Sequence, residues 1–288
     1  MTDIALALGG GGSKGYAHLG VIRALVEMGF TIKAIAGTSA GGMAAAVYAA
    51  GFSPDEILER ISSVRQEDLF GFGRGLALLS NTGIRSVLEE FLGDRKFSDL
   101  RFPIALSAVD LKDMSEVVLK EGRVLDAVMA TTAIPGVFPP QELREQVLVD
   151  GMVLDPVPVR TARKLSPGIP VIAVSLTPEP EKWKIISPWD SKPANPLLRP
   201  ISRLRIAKAF DIYLRSMDIT LHMLGELRLE LDEPELLLRP DVGHIGSLDQ
   251  VDVKEVALLG DLAVQEAHQA LKKLKRRSRR KKPFLDRY

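Results

Sequence analysis

Two glycine-rich turns, each placed between an apolar run and a helical pattern, fall within the first 42 residues of the chain. The first is Gly9–Gly15, with the sequence GGGGSKG, and it follows the apolar run Ile4–Leu8. The second is Gly37–Gly42, with the sequence GTSAGG, and it follows the apolar run Ile32–Ala36. Strand, tight turn and helix in immediate succession are the units of a parallel sheet covered by helices.

The second turn has the G-x-S-x-G form, which holds a serine hydroxyl exposed on a tight strand-to-helix turn. Its serine is Ser39, between the elbow glycines Gly37 and Gly41. The first turn supplies backbone N–H groups at a helix start, where the helix dipole favours an anion. A nucleophile beside an anion site is what acyl transfer requires. The two turns together favour a serine hydrolase.

The alternation of apolar runs and helical patterns continues through the first 180 residues, which predicts a mostly parallel central sheet. At 288 residues the chain is long enough to bury a substantial core. Strands are predicted near 3–8, 31–36, 102–109, 116–119, 147–149 and 170–176. Helices are predicted near 14–28, 40–50, 54–65, 82–93, 122–132 and 155–165.

The pattern changes beyond residue 176. The segment 178–200 contains six prolines and both tryptophans, and we interpret it as an irregular connection rather than a domain linker. A helical pattern returns near 202–230, followed by a short strand, Glu235–Arg239, and a final helix near 252–275. The sequence predicts a single domain over 1–271 and a basic C-terminal tail over 272–288.

The tail concentrates positive charge. Nine of the eleven residues in Lys272–Lys282 are basic, so the rest of the chain carries −8 although the whole carries +1. Blocks of like charge are often solvated, disordered ends. They also bind anionic lipid headgroups, and this second interpretation predicts peripheral contact with an anionic membrane. Nothing else in the sequence supports base recognition, so no nucleic acid partner is expected.

The composition of the chain excludes cysteine chemistry and bears on where the protein is located. The chain has no cysteine, which excludes disulfides, thiolate metal sites and a cysteine nucleophile. The start, Met1–Asp3, lacks the basic region of a secretory signal, and glycines interrupt the longest uncharged stretch, Ala34–Pro54. We therefore expect a cytoplasmic protein, possible membrane contact being peripheral. The oligomeric state stays open.

The first turn also matches G-x-G-x-x-G over Gly10–Gly15, so a dinucleotide site must be weighed. That fingerprint expects an acidic residue about 20 positions later, at the end of the next strand. Between Asp3 and Asp55 the only acidic residue is Glu27, which falls on the predicted first helix. A Walker A loop fails as well, because Lys14 is followed by glycine rather than Ser or Thr.

A Ser-His-Asp triad is the second alternative, since α/β-hydrolases carry their histidine after the nucleophile. Of the downstream histidines, only His244 lies in a predicted loop, whereas His222 and His268 fall in helical patterns. The elbow also comes early, after the second strand. His18, four residues past Lys14, is expected to pack beneath the glycine turn.

A third element is Asp150, which directly follows the apolar run Val147–Val149 and precedes Gly151. A carboxylate at a strand end can project into a site without a neighbouring side chain in its way. When desolvated it has a raised pKa and can accept a serine proton directly. On its own, Asp-Gly would be interpreted as a plain turn.

Taken together, the three elements resemble the patatin-like phospholipases, particularly their bacterial members and the catalytic domain of neuropathy target esterase. That family carries G-G-G-x-[KR]-G, G-x-S-x-G and Asp-Gly-Gly or Asp-Gly-Ala. The match covers roughly residues 3–176, and the segments Thr131–Pro140 and Asp155–Pro158 also resemble the family. Met152 departs from it, because the family usually has Gly or Ala there; a larger side chain would narrow the pocket, so the acyl-chain preference stays open.

The resemblance implies a three-layer α/β/α fold and a Ser–Asp dyad without histidine. It makes Ser39 the nucleophile and Asp150 the base, with Lys14 and Gly15 as supporting loop positions. The N–H groups of Gly10, Gly11 and Gly12 would frame the oxyanion hole. The implied activity is hydrolysis of lipid carboxylic esters, of the phospholipase A or lysophospholipase type, with no cofactor and no metal. A lipid acyltransferase and a non-catalytic lipid-binding regulatory protein remain alternatives.

Overall fold

The computed structural model describes residues 2–65, 69, 71–72, 79–180 and 205–281. The helices are α1 (Ala17–Glu27), α2 (Ala40–Ala49), α3 (Pro54–Ser62), α4 (Thr82–Leu92), α5 (Val124–Thr131), α6 (Val159–Leu165), α7 (Arg205–Asp232), α8 (Val253–Glu266) and α9 (His268–Lys281). Short 3-10 turns cover Gly12–Tyr16, Phe97–Asp99 and Gly151–Val153. The strands are β1 (Thr2–Leu8), β2 (Phe30–Thr38), β3 (Gly71–Phe72), β4 (Leu79–Ser80), β5 (Ile104–Asp110), β6 (Ser115–Leu119), β7 (Gln141–Leu143), β8 (Gln146–Asp150), β9 (Val171–Val174) and β10 (Leu236–Leu238).

The main sheet is parallel over its central strands. Its order is β10-β9-β1-β2-β5-β8-β7, with β6 also paired to β5. The pairs from β10 to β5 are parallel, whereas β6, β7 and β8 join in antiparallel pairs. The carboxyl ends of β1, β2 and β9 therefore lie at one edge of the sheet, which is where α/β proteins place their ligands.

Side chains on β1 show how the sheet separates two helical layers. Ile4, Leu6 and Leu8 point to the larger core, which α1, α2, α5 and α8 complete. Ala5 and Ala7 point to the opposite face, where α6 and the end of α7 pack. Because alternate residues of a strand face opposite sides, this run of large and small residues fixes which layer lies on which face. The predicted three-layer α/β/α fold is confirmed.

Local chemistry explains where several helices begin. Ser53 caps α3 in a capping box with Glu56, and Pro54 takes the first helical position. The helix predicted from residue 155 begins instead at Val159, because proline disfavours helical backbone in the residue that precedes it and Pro156 and Pro158 both fall there.

The final predicted helix, 252–275, is wrong in its end and its continuity. It is two helices, α8 and α9, which are separated at Ala267 and extend to Lys281. Helix α8 crosses α1 at close range: a side chain on Gly20 would meet the carbonyl oxygen of Ala257 at 1.8 Å. Arg23 of α1 and Asp261 of α8 form an ion pair at this crossing.

The beginning of the basic tail is part of the packed structure. Leu271 and Leu274 of α9 are buried and belong to the main core. The Lys275 ammonium donates to the carbonyl oxygen of Met28 and lies 4.6 Å from the ring centroid of Phe30. Since Phe30 opens β2, α9 is anchored at the amino end of the central strands.

Two of the predicted segments lie partly outside the residues that the structure describes. Residues 181–200 of the predicted irregular connection lie outside it, as do residues 282–288 of the tail. Among the helices that are described, none combines the length and the apolar character needed to cross a membrane.

Candidate active site

The site begins with an arrangement of three strands around β5. Residues 106–107 of β5 pair with β2 and β6 at once, and residues 108–110 pair with β8 and β6 at once. A strand has two edges, so β6 occupies one and β2 and β8 share the other, end to end. Thr38 lies opposite Ser107 and Asp150 lies opposite Ala108. Neighbouring positions on a strand are about 3.3 Å apart, so the carboxyl ends of β2 and β8 meet where Ser39 and Asp150 stand.

Ser39 has the backbone of a nucleophile elbow. Its φ is 53° and its ψ is −122°, a strained conformation for a residue with a side chain. Gly41 makes the turn possible, because a side chain there would meet the carbonyl oxygen of Leu8 at 2.2 Å. The Ser39 N–H donates to Thr131 Oγ1 at 2.9 Å, and Thr131 in turn donates to the Ser107 carbonyl at 2.5 Å. These contacts fix the serine at the start of α2.

Asp150 is almost completely buried, at 1% exposure, and Ser39 is at 3%. Burial raises the pKa of Asp150 to about 7, and the nearby Ser39 hydroxyl and the Met152 N–H partly oppose this shift. The Met152 N–H donates to Oδ1 at 2.9 Å. The Ser39 hydroxyl forms no hydrogen bond of ordinary geometry with this carboxyl, and Oδ2 has no partner among the described residues. The carboxyl thus has one oxygen held and one oxygen open beside the serine.

The glycine turn follows β1 and lies beside Ser39: a side chain on Gly10 would be 3.1 Å from Ser39 Cβ. The N–H of Gly10 donates to the Pro156 carbonyl at 3.1 Å, so the structure does not offer it to an oxyanion as the sequence predicted. Within the described chain, the N–H groups of Gly11 and Gly12 have no protein acceptor. Gly12 has a φ of +59°, and a side chain there would overlap the Ser247 carbonyl. The two free N–H groups can hold an anion, whereas Gly10 serves through its lack of a side chain.

The glycine turn is supported by His18, which lies beneath it, and by the close contact that Gly15 makes with α2. His18 is fully buried, and its Nε2 lies 2.7 Å from the Gly9 carbonyl oxygen. Burial lowers the pKa of His18 to about 4, so the ring is neutral and donates from Nε2. The expectation that His18 packs beneath the turn is confirmed. Gly15 allows close contact with α2, because a side chain there would lie 2.4 Å from the Ala40 Cβ.

Lys14 is a buried cation at the same turn, with 8% exposure. Burial lowers the pKa of its ammonium, and the carboxylates of Asp218 and Asp249 oppose that shift. Asp218 belongs to α7, so this helix contributes negative charge to the surroundings of Lys14. Farther along the same helix, Arg228 donates to the Leu154 carbonyl at 3.1 Å and pairs with Glu116 at 3.2 Å.

Among the described residues, no contact supports the alternative mechanisms. His244 is exposed and forms no hydrogen bond with Ser39 or Asp150 in the described structure. The described residues contain no cluster of three His, Asp or Glu side chains that fits a metal ion. An open cavity of about 400 Å³ is lined by residues that include Lys96, Pro103 and Leu165. It lies at the amino end of β5, away from the carboxyl edge where Ser39 stands.

Sequence reasoning missed two supporting groups. One is the Thr131 hydroxyl, for which the only signal was the segment Thr131–Pro140 as a whole. The other is the N–H of Ala40, which directly follows the nucleophile and is one of the first amides of α2. Amides in the first turn of a helix have no partner within the helix, and the residue after a nucleophile elbow supplies one oxyanion donor in α/β-hydrolases.

A family model described as patatin-like phospholipase matches residues 6–163, more than half of the chain. The chain belongs to the patatin-like phospholipase family. The matched segment contains Ser39, Asp150 and both glycine turns. The sheet around β5 and the residues on it are thus the part of the chain that the family shares.

Relatives in this family are bacterial and mammalian. An uncharacterized NTE family protein of Mycobacterium tuberculosis is 36% identical over 177 residues, 60% of this chain and 49% of that protein. Patatin-like phospholipase domain-containing protein 7 of Rattus norvegicus is 30% identical over 183 residues, 60% of this chain and 13% of that protein. The chain spans about half the length of the mycobacterial relatives that it matches.

Among solved structures, VipD from Legionella pneumophila superposes with a TM-score of 0.57 at 12% identity. The match covers 96% of this chain and 67% of VipD. At that identity the likeness concerns the fold alone, and it agrees with the three layers described above.

Proposed function

We propose that this chain is a serine acyl hydrolase that cleaves carboxylic esters of lipids, of the phospholipase A or lysophospholipase type. Ser39 is the nucleophile and Asp150 is the base. The observation that carries the proposal is the end-to-end meeting of β2 and β8 on one edge of β5. It brings a strained, buried serine beside a carboxyl whose burial raises its pKa to about 7. Membership of the patatin-like phospholipase family supports a lipid ester as the substrate.

The first half of the reaction forms an acyl-enzyme. The Ser39 oxygen attacks the ester carbonyl carbon while the Asp150 carboxylate takes the hydroxyl proton. The carbonyl oxygen becomes negative and receives hydrogen bonds from the free N–H groups of Gly11 and Gly12, near the positive end of α2. The carbon–oxygen bond to the alcohol then breaks, and the proton passes from Asp150 to the departing oxygen.

The second half releases the fatty acid. Water takes the place of the alcohol and gives a proton to Asp150 as it attacks the acyl carbon. The bond to Ser39 breaks, and the proton returns to the serine oxygen. If an alcohol took the place of water, the same residues would perform acyl transfer. Analysis of products from a labelled phospholipid distinguishes the two: free fatty acid supports hydrolysis, whereas label on an added alcohol supports transfer.

A fluorophosphonate probe with peptide mapping tests the nucleophile. We expect the label on the peptide that contains Ser39, and loss of both label and ester hydrolysis in Ser39→Ala. Asp150→Asn should reduce hydrolysis of a nitrophenyl ester to nearly the same level, because an amide cannot accept the serine proton.

His244→Ala is the matched control, since this exposed histidine is the base that a triad would need. It should retain the rate of the unmodified protein. A lethal histidine substitution beside a mild aspartate substitution would replace the dyad with a triad. Normal hydrolysis by Ser39→Ala would refute the nucleophile assignment.

A further inference from the structure

Met152 places a thioether directly beside the nucleophile. A side chain on Gly10 would have its first carbon 2.4 Å from Met152 Sδ, 2.5 Å from Met152 Cγ and 3.1 Å from Ser39 Cβ. The end of the Met152 side chain therefore fills the space against Gly10, next to Ser39. Met152 as a residue is half-buried, so part of it is in contact with solvent.

The backbone of Met152 has a separate role. Its N–H donates to Oδ1 of Asp150, and this bond does not depend on which side chain the residue carries. The open oxygen of the carboxyl is Oδ2, which exchanges the proton with Ser39 and with the departing alcohol in the proposed reaction. The alcohol therefore leaves on the Oδ2 side, whereas Oδ1 is held by the backbone of Met152.

The remaining directions around the ester carbon are then assigned. The oxyanion faces the N–H groups of Gly11 and Gly12, the alcohol faces Oδ2 of Asp150, and Ser39 supplies the attacking oxygen. The acyl group takes the remaining direction, and it starts at Ser39, where the Met152 thioether lies close by. We infer that Met152 is a specificity-determining residue that limits the length of the acyl group accepted at Ser39.

This inference rests on the proposed acyl hydrolase function. A methionine side chain is flexible and apolar, so it narrows the space without carrying any step of the reaction. Removing it should admit longer chains and leave the machinery of Ser39 and Asp150 in place. Fitting or rejecting one methylene in an apolar pocket changes kcat/KM by about 10-fold or more.

The experiment compares the unmodified protein with Met152→Ala and Met152→Leu. Met152→Leu is the matched control, because it keeps the volume and apolar character of the side chain. For each protein, kcat/KM is measured on 4-nitrophenyl butanoate, hexanoate, octanoate and decanoate, below the concentrations at which these esters aggregate. A second series keeps the butanoyl group and varies the alcohol. Thermal denaturation and fluorophosphonate labelling of Ser39 verify that each variant is folded and has an intact nucleophile.

We expect Met152→Ala to raise the decanoate-to-butanoate ratio of kcat/KM by about tenfold or more, while Met152→Leu keeps the original ratio. The alcohol series should be unchanged in both variants. Parallel acyl profiles for all three proteins would overturn the inference, and so would a change confined to the alcohol series. If the unmodified protein hydrolyses no ester and its Ser39 takes no label, the proposed function fails instead.

Discussion

Asp150 is almost completely buried, so its carboxyl does not stay ionised in acidic solution. Its pKa of about 7 means that it is protonated in mildly acidic solution and unable to accept the serine proton. We therefore expect kcat/KM on a soluble ester to rise about tenfold per pH unit below 7 and to level off above it.

Asp155 provides the control for this pH profile. Burial also raises the pKa of its carboxyl, and the nearby Glu116 carboxylate adds to the shift. Asp155 lies five residues beyond Asp150, with its carboxyl outside the dyad. The rise in kcat/KM near pH 7 should persist in Asp155→Asn. If the rise disappeared in that variant, the carboxyl that titrates near pH 7 would be that of Asp155 and not that of Asp150.

The same burial affects stability. Because the pKa of Asp150 is higher in the folded protein than its ordinary value of 3.8, the folded state holds more protons between these pH values. The free energy of unfolding then decreases as pH rises from about 4 to about 7. Asp150→Asn removes this ionisation, so urea denaturation at pH 8 should show the variant to be more stable by a few kcal/mol.

At pH 5 the two proteins should differ much less, since the buried carboxyl is then neutral. Equal stability at both pH values would contradict the raised pKa. An increase in stability on removing Asp150 would mean that this carboxyl serves the reaction at the expense of the fold.

At the scale of elements, the sequence was sufficient for the parallel strands and their glycine turns. β1, β2, β5 and β9 are long apolar runs, and the structure places each within a few residues of its prediction. β7 was not predicted, because three residues, Gln141–Leu143, carry no periodicity. The split between α8 and α9 was also missed, since no glycine or proline marks it.

The candidate site was likewise predictable from the sequence only in part. Ser39 could be picked out from its G-x-S-x-G turn after an apolar run, whereas Asp150 was picked out only together with the other two elements, through the family resemblance. The engagement of the Gly10 N–H by Pro156 and the support from Thr131 could not, since both depend on segments that are distant in the sequence. The packing of the Met152 thioether against Gly10 likewise depends on the folded structure.

Helix α9 yields a stability prediction. Leu274 is 8% exposed and packs in the main core, whereas its neighbour Lys273 is exposed. Leu274→Ala should therefore lower the free energy of unfolding by about 2–5 kcal/mol, and Lys273→Ala should change it little. Denaturation of the two variants side by side measures the difference. Equal midpoints would show that α9 is not packed on the core, and that the tail begins at 272 as the sequence suggested.

We propose that the exposed basic residues of α9 contact anionic membranes. Replacing Lys272, Lys273, Arg276 and Arg277 with Gln should weaken binding to phosphatidylserine vesicles, since each basic residue near such a surface contributes about 1 kcal/mol. High salt should remove the difference between the two proteins. Co-sedimentation at low and high salt measures this, while the rate on a soluble ester should stay the same. Equal sedimentation at low salt would return these residues to the role of a solvated surface.

At the scale of the whole molecule, the extent of the hydrophobic core indicates one folding unit. The main cluster contains buried residues from Ile4 to Leu274, and it includes side chains of α1, α2, α5, α8 and α9. We propose that the described chain forms a single domain whose C-terminal helices complete it. Calorimetric unfolding in one cooperative transition would support this, whereas two separated transitions would contradict it.

The length of β2 also sets the distance between Ser39 and the basic helix α9. Lys275 is fixed beside Phe30 at the first residue of β2, and Ser39 follows its last residue. A strand of nine residues spans about 30 Å. A protein adsorbed on a negatively charged bead through the exposed lysines and arginines of α9 would present the edge that carries Ser39 to the surrounding liquid. Such an immobilised preparation should remain open to dissolved esters, whereas attachment near the glycine turns would block their entry.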